Sequence, residues 1–423
     1  MTTLHLRKSI GRSPCRGALL LIPLAIAATF AEAAVAAPSP GVVAGGFCTY
    51  RTGYLSTSTQ AAQWINTYFA AGSVGSEIFH VGNVETPTDD PTTYAYTWRK
   101  TGTPVPVGKG RNAVLVDSGV AALGQAVQSG GRPRAFSTNA TNPTDMGTGG
   151  ILGSQALTEK VNQGFSEVFV TPATGFSGIS LVDMDGVQLD GVPLTPAEAS
   201  ALNGQATLQV REAADAALGG GPLPYGLSFS QLTDLIDLVN GSFASCGPSQ
   251  FAQTHLYQPY VTSSAFAGKR PSTVSTFASK PTYNTFSGEV VFVGRGCPAG
   301  SVTGSNPEDT YLADPTGKIA LIERGGCRFD YKVAQAQLKG AAAAIIFNNR
   351  PAAGCPAVPT PGSNQCEALV GMGGNNPVVL VPPPTFTWSG FGTTITIPAA
   401  FVQRSTGLAL RNGTAPVTAV VQQ

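Results

Sequence analysis

"GKIALIERGGCRFDYKVAQAQLKGAAAAIIFNN", Gly317 to Asn349, holds two apolar runs separated by a segment of small residues. "DPTG" leads into "KIALIE", a β-type run that ends at Gly325 and Gly326, where the chain can change direction sharply. A helix is predicted from about Asp330, with Val333, Ala334, Ala336 or Gln337, and Leu338 supplying a weakly apolar face and Gly340 closing it. "AAAAIIFNN" then returns as a buried strand, so the unit reads strand, crossover helix, strand, with Phe329 plugging the core under the corner. Cys327 stands at that corner between Arg324 and Arg328, two cations that would lower a thiol pKa. It reads as a nucleophile or as one half of a disulfide, and the rest of the chain favours the second.

At 423 residues and 42% hydrophobic content, the chain can bury a large core and divide into two or three domains. Lys and Arg number 25 against 24 Asp and Glu, and 12% of residues are charged, so the electrostatic footprint of a nucleic-acid or anionic-membrane binder is missing. Arg7, Lys8, Arg12 and Arg16 precede an apolar run from Ala18 to Phe30 and the small residues "AEAAVAA", the pattern of a cleaved secretory signal over residues 1–36. Cleavage after Ala36 would leave 21 basic residues against 23 acidic ones, a net charge of −2. Six cysteines remain, Cys48, Cys246, Cys297, Cys327, Cys355 and Cys366, and an even count in an exported chain predicts disulfides, with fifteen pairings open. The mature protein is expected to be secreted or periplasmic, with no membrane partner after signal cleavage.

The stretch "VTSSAFAGKRPSTVSTFASKPTYN" reads as a linker over residues 261–283. β-type runs dominate after it: "GEVVFVG", "KIALIE", "AAAIIF", "VVLVPPP", "TTITIPAAFV" and "PVTAVVQ". The order of "GKIALIERGGCRF", a Lys and Ala/Gln/Gly helix, "AAIIFNN" and later "ITIPAAFVQRSTGLALR" resembles the protease-associated (PA) domain, over about residues 284–423. The resemblance implies a β-sandwich or open barrel with short flanking helices, found in secreted and vacuolar peptidases, sorting receptors and membrane ubiquitin ligases. It also implies a binding or lid module with no catalytic chemistry of its own. By the same resemblance Cys297 pairs with Cys327, leaving Cys355 and Cys366 as a loop staple and Cys48 with Cys246 spanning the first region. A groove for a protein or peptide ligand is expected near Arg324, Asn348 and Asn349. An insert from Arg350 to Phe391 departs from shorter family members and would reshape that groove.

Residues 37–260 carry mixed signals, so the whole is expected to be α+β: an N-terminal α/β or α+β region of unknown function, then the PA-like domain. "WINTYFAAG" looks helical, "NAVLVDSGVAALGQAVQSGG" reads as strand then helix, and "SEVFVTP" and "GISLVDMDG" read as strands. Thr195, Pro196 and Glu198 form a helix start, and Leu232, Leu235, Ile236 and Val239 recur at helical spacing before Asn240 and Gly241.

No H-E-x-x-H, G-x-S-x-G, S-x-x-K or subtilase serine signature occurs, which argues against an enzyme. Asp183, Asp185 and Asp190 in "DMDGVQLDG" are close enough to suit calcium, the alternative being two Asp-Gly turns framing a short strand; no other cofactor is expected. Glu77, His80, Glu85, Asp89 and Asp90 cluster near aromatics without metal-ligand spacing. Gly-rich "GTGGILGSQ" follows no clear strand, a weak phosphate signal, and Asn139, Asn240 and Asn412 lie in glycosylation sequons. Noncatalytic recognition of proteins or peptides is therefore the expected function, the alternative being an unrecognised peptidase-like hydrolase in residues 47–260 with the PA domain as its substrate lid.

Overall fold

The computed structural model describes residues 47–82, 94–168, 170–171, 173–244, 246–275, 277, 286–301, 311–349, 366–379 and 386–422. The predicted signal segment, Glu85, Asp89, Asp90 and Cys355 lie outside the described residues.

The first region opens with α1 (Thr52–Thr57), α2 (Thr59–Tyr68), β1 (Glu77–Val81), β2 (Tyr96–Arg99), β3 (Pro104–Val107), β4 (Val114–Asp117), α3 (Ser118–Ala126) and β5 (Ala140–Thr141). These elements gather around α4 (Gly150–Glu167), whose residues are buried along almost its whole length. The "GTGGILGSQ" stretch is a 3-10 turn, Gly147–Gly149, running into the start of this helix, and Ser166 and Glu167, read as the beginning of a strand in "SEVFVTP", are its end. Several of its enclosed polar side chains are met by partners from neighbouring elements. Asn162 accepts from Tyr50 N at 2.8 Å and donates to Asn240 Oδ1 at 2.9 Å, and Asn240 Nδ2 reaches Gln155 Oε1 at 3.0 Å. Asn240 is therefore enclosed in the folded chain, whereas the sequon residues Asn139 and Asn412 are exposed.

Next come β6 (Ser180–Leu181), β7 (Gln188–Leu189), β8 (Val192–Pro193), α5 (Pro196–Leu202), α6 (Thr207–Leu218), α7 (Phe229–Asn240), α8 (Gln250–His255) and β9 (Leu256–Tyr257). The capping box of Thr195 and Glu198 starts α5 with Pro196 in the first turn, and α7 turns Leu232, Leu235, Ile236 and Val239 inward before Gly241 caps it.

The second region is a closed seven-stranded barrel made by β10 (Tyr260–Ser263), β11 (Phe266–Val274), β12 (Phe286–Phe292), β13 (Ile319–Glu323), β14 (Ala343–Phe347), β15 (Ala399–Val402) and β16 (Thr418–Gln422), with α9 (Phe329–Leu338) and α10 (Arg404–Asn412) against it. The strand–helix–strand unit read from Gly317 to Asn349 is present: β13 and β14 pair in parallel, Ile319 to Ala343 through Glu323 to Phe347, and α9 joins them. Both faces of these strands are covered, which is why they read as unbroken apolar runs. Ile319 and Leu321 join the cluster containing Leu410 and Val417, while Ala320 and Ile322 pack with Val333, Ala334 and Ala336 of α9. Phe329 packs against the latter cluster and meets Phe401 edge-on at 5.8 Å.

The reading of residues 261–283 as a linker does not hold for 261–274: β10 and the long β11 close the barrel, β10 pairing with β16 and β11 with β15. Ser263 and Thr273 there are barrel residues whose hydroxyls donate to backbone carbonyls. Thr273, fully enclosed, donates its hydroxyl to Val370 O at 2.9 Å.

The barrel seats on the first region through residues without room to spare. A Cβ added to Gly178 would lie 2.2 Å from Thr273 Cγ2 and 3.0 Å from Thr273 Cα. Gly178→Ala is expected to cost about 2 to 3 kcal/mol by overpacking, read as a lower urea midpoint with unchanged slope. A midpoint equal to that of the unsubstituted protein would show that the two regions give way freely at this contact.

Candidate functional site

Parallel pairing in register brings Glu323, Phe347 and Val402 side by side, so the residues that follow them converge at one end of the barrel. Gly325 and Gly326, with φ of 104° and 82°, turn the chain there into α9. Arg324 Nη1 donates to Asn348 Oδ1 at 3.1 Å, and Arg404 Nη1 lies 3.3 Å from Glu323 Oε1. Arg328 holds Asp330 with two parallel bonds of 2.9 and 2.8 Å, a planar fork on a carboxylate. Asp330 in turn accepts from Asn375 N at 3.0 Å, tying α9 to a described part of the insert.

The three expected binding residues occupy this corner in different ways. Asn348 is fully enclosed, its amide donating to Ala368 O at 3.0 Å while its carbonyl takes Arg324, so it braces the corner internally. Asn349 is half-buried, with its backbone N–H on Asn348 Oδ1 at 3.1 Å. Arg324 is largely enclosed: burial lowers its pKa from the ordinary value, and Glu167 at the end of α4 opposes that shift. Burial raises the Glu167 carboxyl, although Arg211, Gly371 N–H and Ser177 stabilise its charge. Arg328 and Gly326 complete the outward-facing surface. Such an array of guanidinium and amide donors can hold carboxylate and carbonyl oxygens of a ligand.

The cysteines follow the expected pairing where they are described. Cys48 joins Cys246 and Cys297 joins Cys327, so Cys327 is a bridge and not a free thiol; Cys366 is also disulfide-bonded. Sequence reasoning missed the side chain beneath this bridge. Lys332 is fully buried, donating to Arg295 O and, at 3.3 Å, to Cys297 Sγ. The signal was legible in principle: positions 329, 332, 333 and 336 form one helical stripe, and a lysine stands in it.

The aspartates of "DMDGVQLDG" are all exposed, and among the described residues no three His, Cys, Asp or Glu side chains gather as a group able to hold a metal ion. Asp190 and Gly191, both at positive φ, form the two-residue turn between β7 and β8. Asp183 also has positive φ, and its carbonyl meets His255 Nδ1 at 2.8 Å. The two-turn reading describes this stretch, and the short loops splay the carboxylates outward.

Glu77 and His80 do come together, as Nδ1 of His80 meets Glu77 Oε1 on β1. That hydrogen bond holds the Glu77 carboxyl below its usual pKa. Lys160 of α4 covers the other ring nitrogen, with Nζ 3.4 Å from Nε2.

Among the described residues no helix is long and apolar enough to cross a membrane. Residues 286–410 match the model of the PA domain family. Over 42 residues the chain is 55% identical to a probable leucine aminopeptidase 2 of Aspergillus fumigatus, a match that spans 10% of this chain and 8% of that protein. Among solved structures, a zinc aminopeptidase from Bacillus subtilis is 20% identical, over 39% of this chain and 29% of that one, with a TM-score of 0.24. An aminopeptidase from Aneurinibacillus sp. strain AM-1 is 23% identical, over 39% and 33%, with a TM-score of 0.22. A subtilisin-like protease from Pseudoalteromonas sp. AS-11 is 17% identical, over 39% and 32%, with a TM-score of 0.24. This chain thus spans a small part of the curated relative and about a third of the solved ones. The strand–helix–strand corner, its disulfide and the family match together identify residues 286–410 as a PA domain.

Proposed function

We propose that this is an exported, noncatalytic protein- or peptide-binding chain whose ligand is held at the PA corner formed by Arg324, Arg328 and Asn349. The observation that carries the reading is the convergence of three parallel strand ends on a surface of guanidinium and amide donors within residues 286–410. The barrel is closed, so each of its strands already has two neighbours and a ligand strand has no free edge to extend. Recognition therefore falls to side chains at the barrel end. Arg328 is partly exposed, and the N–H groups that its fork on Asp330 leaves over would pair with a ligand carboxylate. The disulfides fit an oxidising, extracytoplasmic setting.

A second reading, a hydrolase in residues 47–260, rests on the Glu77–His80 contact, in which a carboxylate orients an imidazole. One experiment separates them: titrate the mature protein into fluorescent peptides of a mixed-sequence library and sequence the peptide termini after incubation. Binding without new termini, weakened about tenfold in Arg328→Ala (the loss of roughly 1.4 kcal/mol), is the expected result. Binding unaffected by Arg328→Ala and Asn349→Ala would remove the corner from the proposal. Cleavage that disappears in His80→Ala would establish the hydrolase.

A further inference from the structure

We propose that the Cys297–Cys327 disulfide is a reaction site for an external dithiol, opened by attack at Cys327 with Cys297 leaving as a thiolate received by Lys332. The asymmetry of the bridge carries the argument. Cys297 is 3% exposed, whereas Cys327 is only partly buried and follows two glycines that present no Cβ to an approaching nucleophile. An incoming thiolate therefore meets the Cys327 sulfur. On the far side, Lys332 Nζ lies 3.3 Å from Cys297 Sγ, and the lysine is fully buried on α9. An ammonium taken out of water gains most from a neighbouring anion. In the disulfide form the sulfur is neutral and its contact with Lys332 weak; once the bridge opens, the same atom carries the negative charge that a buried cation attracts. Leaving-group stabilisation of this kind accelerates thiol–disulfide exchange.

The step balances as follows. A thiolate of the dithiol forms a bond to Cys327 Sγ, the Cys297–Cys327 bond breaks, and its electron pair goes to Cys297 Sγ beside Lys332. The second thiol of the reductant, deprotonated by solvent, attacks its own sulfur in the mixed disulfide and releases Cys327 as a thiolate. The dithiol is oxidised to a disulfide by two electrons, and the protein bridge is reduced to two thiols. Opening frees the loop around Cys297 from the strand–helix corner.

A competing expectation sharpens the test. Cys246 is exposed, so access alone would predict that Cys48–Cys246 opens at least as fast. The full mature protein is treated with dithiothreitol at neutral pH, quenched by acid, alkylated and mapped by mass spectrometry. Cys297–Cys327 is expected to open first, and short-time samples treated with a monothiol, which traps the mixed disulfide, are expected to carry the adduct on Cys327 with Cys297 free. Replacing the ammonium in Lys332→Met should slow opening of this bridge about tenfold and leave Cys48–Cys246 unchanged. Adduct on Cys297, or prior opening of Cys48–Cys246, would overturn the proposal in the unsubstituted protein, whether or not Lys332→Met folds. A folded Lys332→Met protein whose bridge opens at an unchanged rate would overturn the role of Lys332.

Discussion

Replacing the first bridge, in the double variant Cys48→Ser and Cys246→Ser, should remove about 5 kcal/mol of stability by the loop-closure relation, the largest effect expected of any local change in this chain. The two cysteines are 198 residues apart, against 30 for Cys297 and Cys327. The same relation assigns the shorter loop roughly 3.5 kcal/mol. Local contacts also hold the start of the fold: Thr49 N donates to Phe243 O at 3.1 Å, Phe243 N donates back to Thr49 Oγ1 at 3.1 Å, and the rings of Phe47 and Phe243 lie 5.2 Å apart. Those contacts exist only in the folded chain, whereas the bridge also restricts the unfolded one, so they do not replace it. Since domains are stable by about 5–15 kcal/mol in total, the variant should lie close to its unfolding transition at 37 °C. Equilibrium denaturation without reductant measures this directly. A loss below about 2 kcal/mol would mean that the unfolded chain is already restrained between these positions, contrary to the loop-closure account.

What could be read from the sequence was whatever had a local cause. The α5 start was legible because Thr195, Pro196 and Glu198 satisfy helix-end groups within four residues. The β13–α9–β14 unit was legible because a parallel pair needs a crossover and because strands covered on both faces are apolar throughout. Helix α4 escaped for the opposite reason. Leu152, Ala156, Leu157, Val161 and Phe165 are buried on it, but so are Gln155, Thr158, Glu159, Asn162 and Gln163, so the helix is enclosed on nearly all sides and no polar solvent face sets off its apolar positions. The partners of Asn162, Gln155 and Gln163, namely Tyr50, Asn240 and Arg211, lie 48 to 112 residues away.

Strands β10 and β11 were hidden differently. "VTSSAFAGKRPSTV" has linker composition, and its β character comes from pairing with strands more than 120 residues distant. Lys269 over the Tyr260 ring and Arg270 over Phe266, both at 4.2 Å, show long cationic side chains lying along the sheet surface, a use that composition does not reveal. The candidate site was legible as a corner, through Arg324 and the two asparagines. The division of labour there, with Asn348 a brace and Arg328 the outward cation, depends on burial and needed the fold.

Glu159 should make the protein lose stability as pH rises from about 5 to 8, and Glu159→Gln should abolish that loss. The carboxyl is 1% exposed on α4; Gln163 Nε2 donates to Oε1 at 2.9 Å, and Oε2 has no hydrogen-bond partner among the described residues. Arg211 attracts the ionised form, but its Nε is bonded to Gln163 at 2.9 Å and its Nη1 to Asp215 at 2.6 Å, so its charge is shared. Burial therefore dominates and pushes the Glu159 pKa from 4.5 up to about 8. Between those two values the folded state keeps a proton that the unfolded chain has released, so unfolding releases it and the stability curve slopes downward with pH. The contribution is complete below about pH 4.5 and gone above about pH 8. At about 1.4 kcal/mol for each pH unit, the loss across the window approaches roughly 5 kcal/mol. Glutamine keeps the shape and the acceptor for Gln163 without a titrating proton, while its own amide hydrogens enter a buried position at a cost of about 1 to 3 kcal/mol. The variant should consequently be less stable than the unsubstituted protein at pH 5 and more stable at pH 9, and the two stability curves, measured by urea denaturation, should cross. Parallel curves would show that Glu159 is ionised in the folded state throughout, and that Arg211 outweighs burial after all.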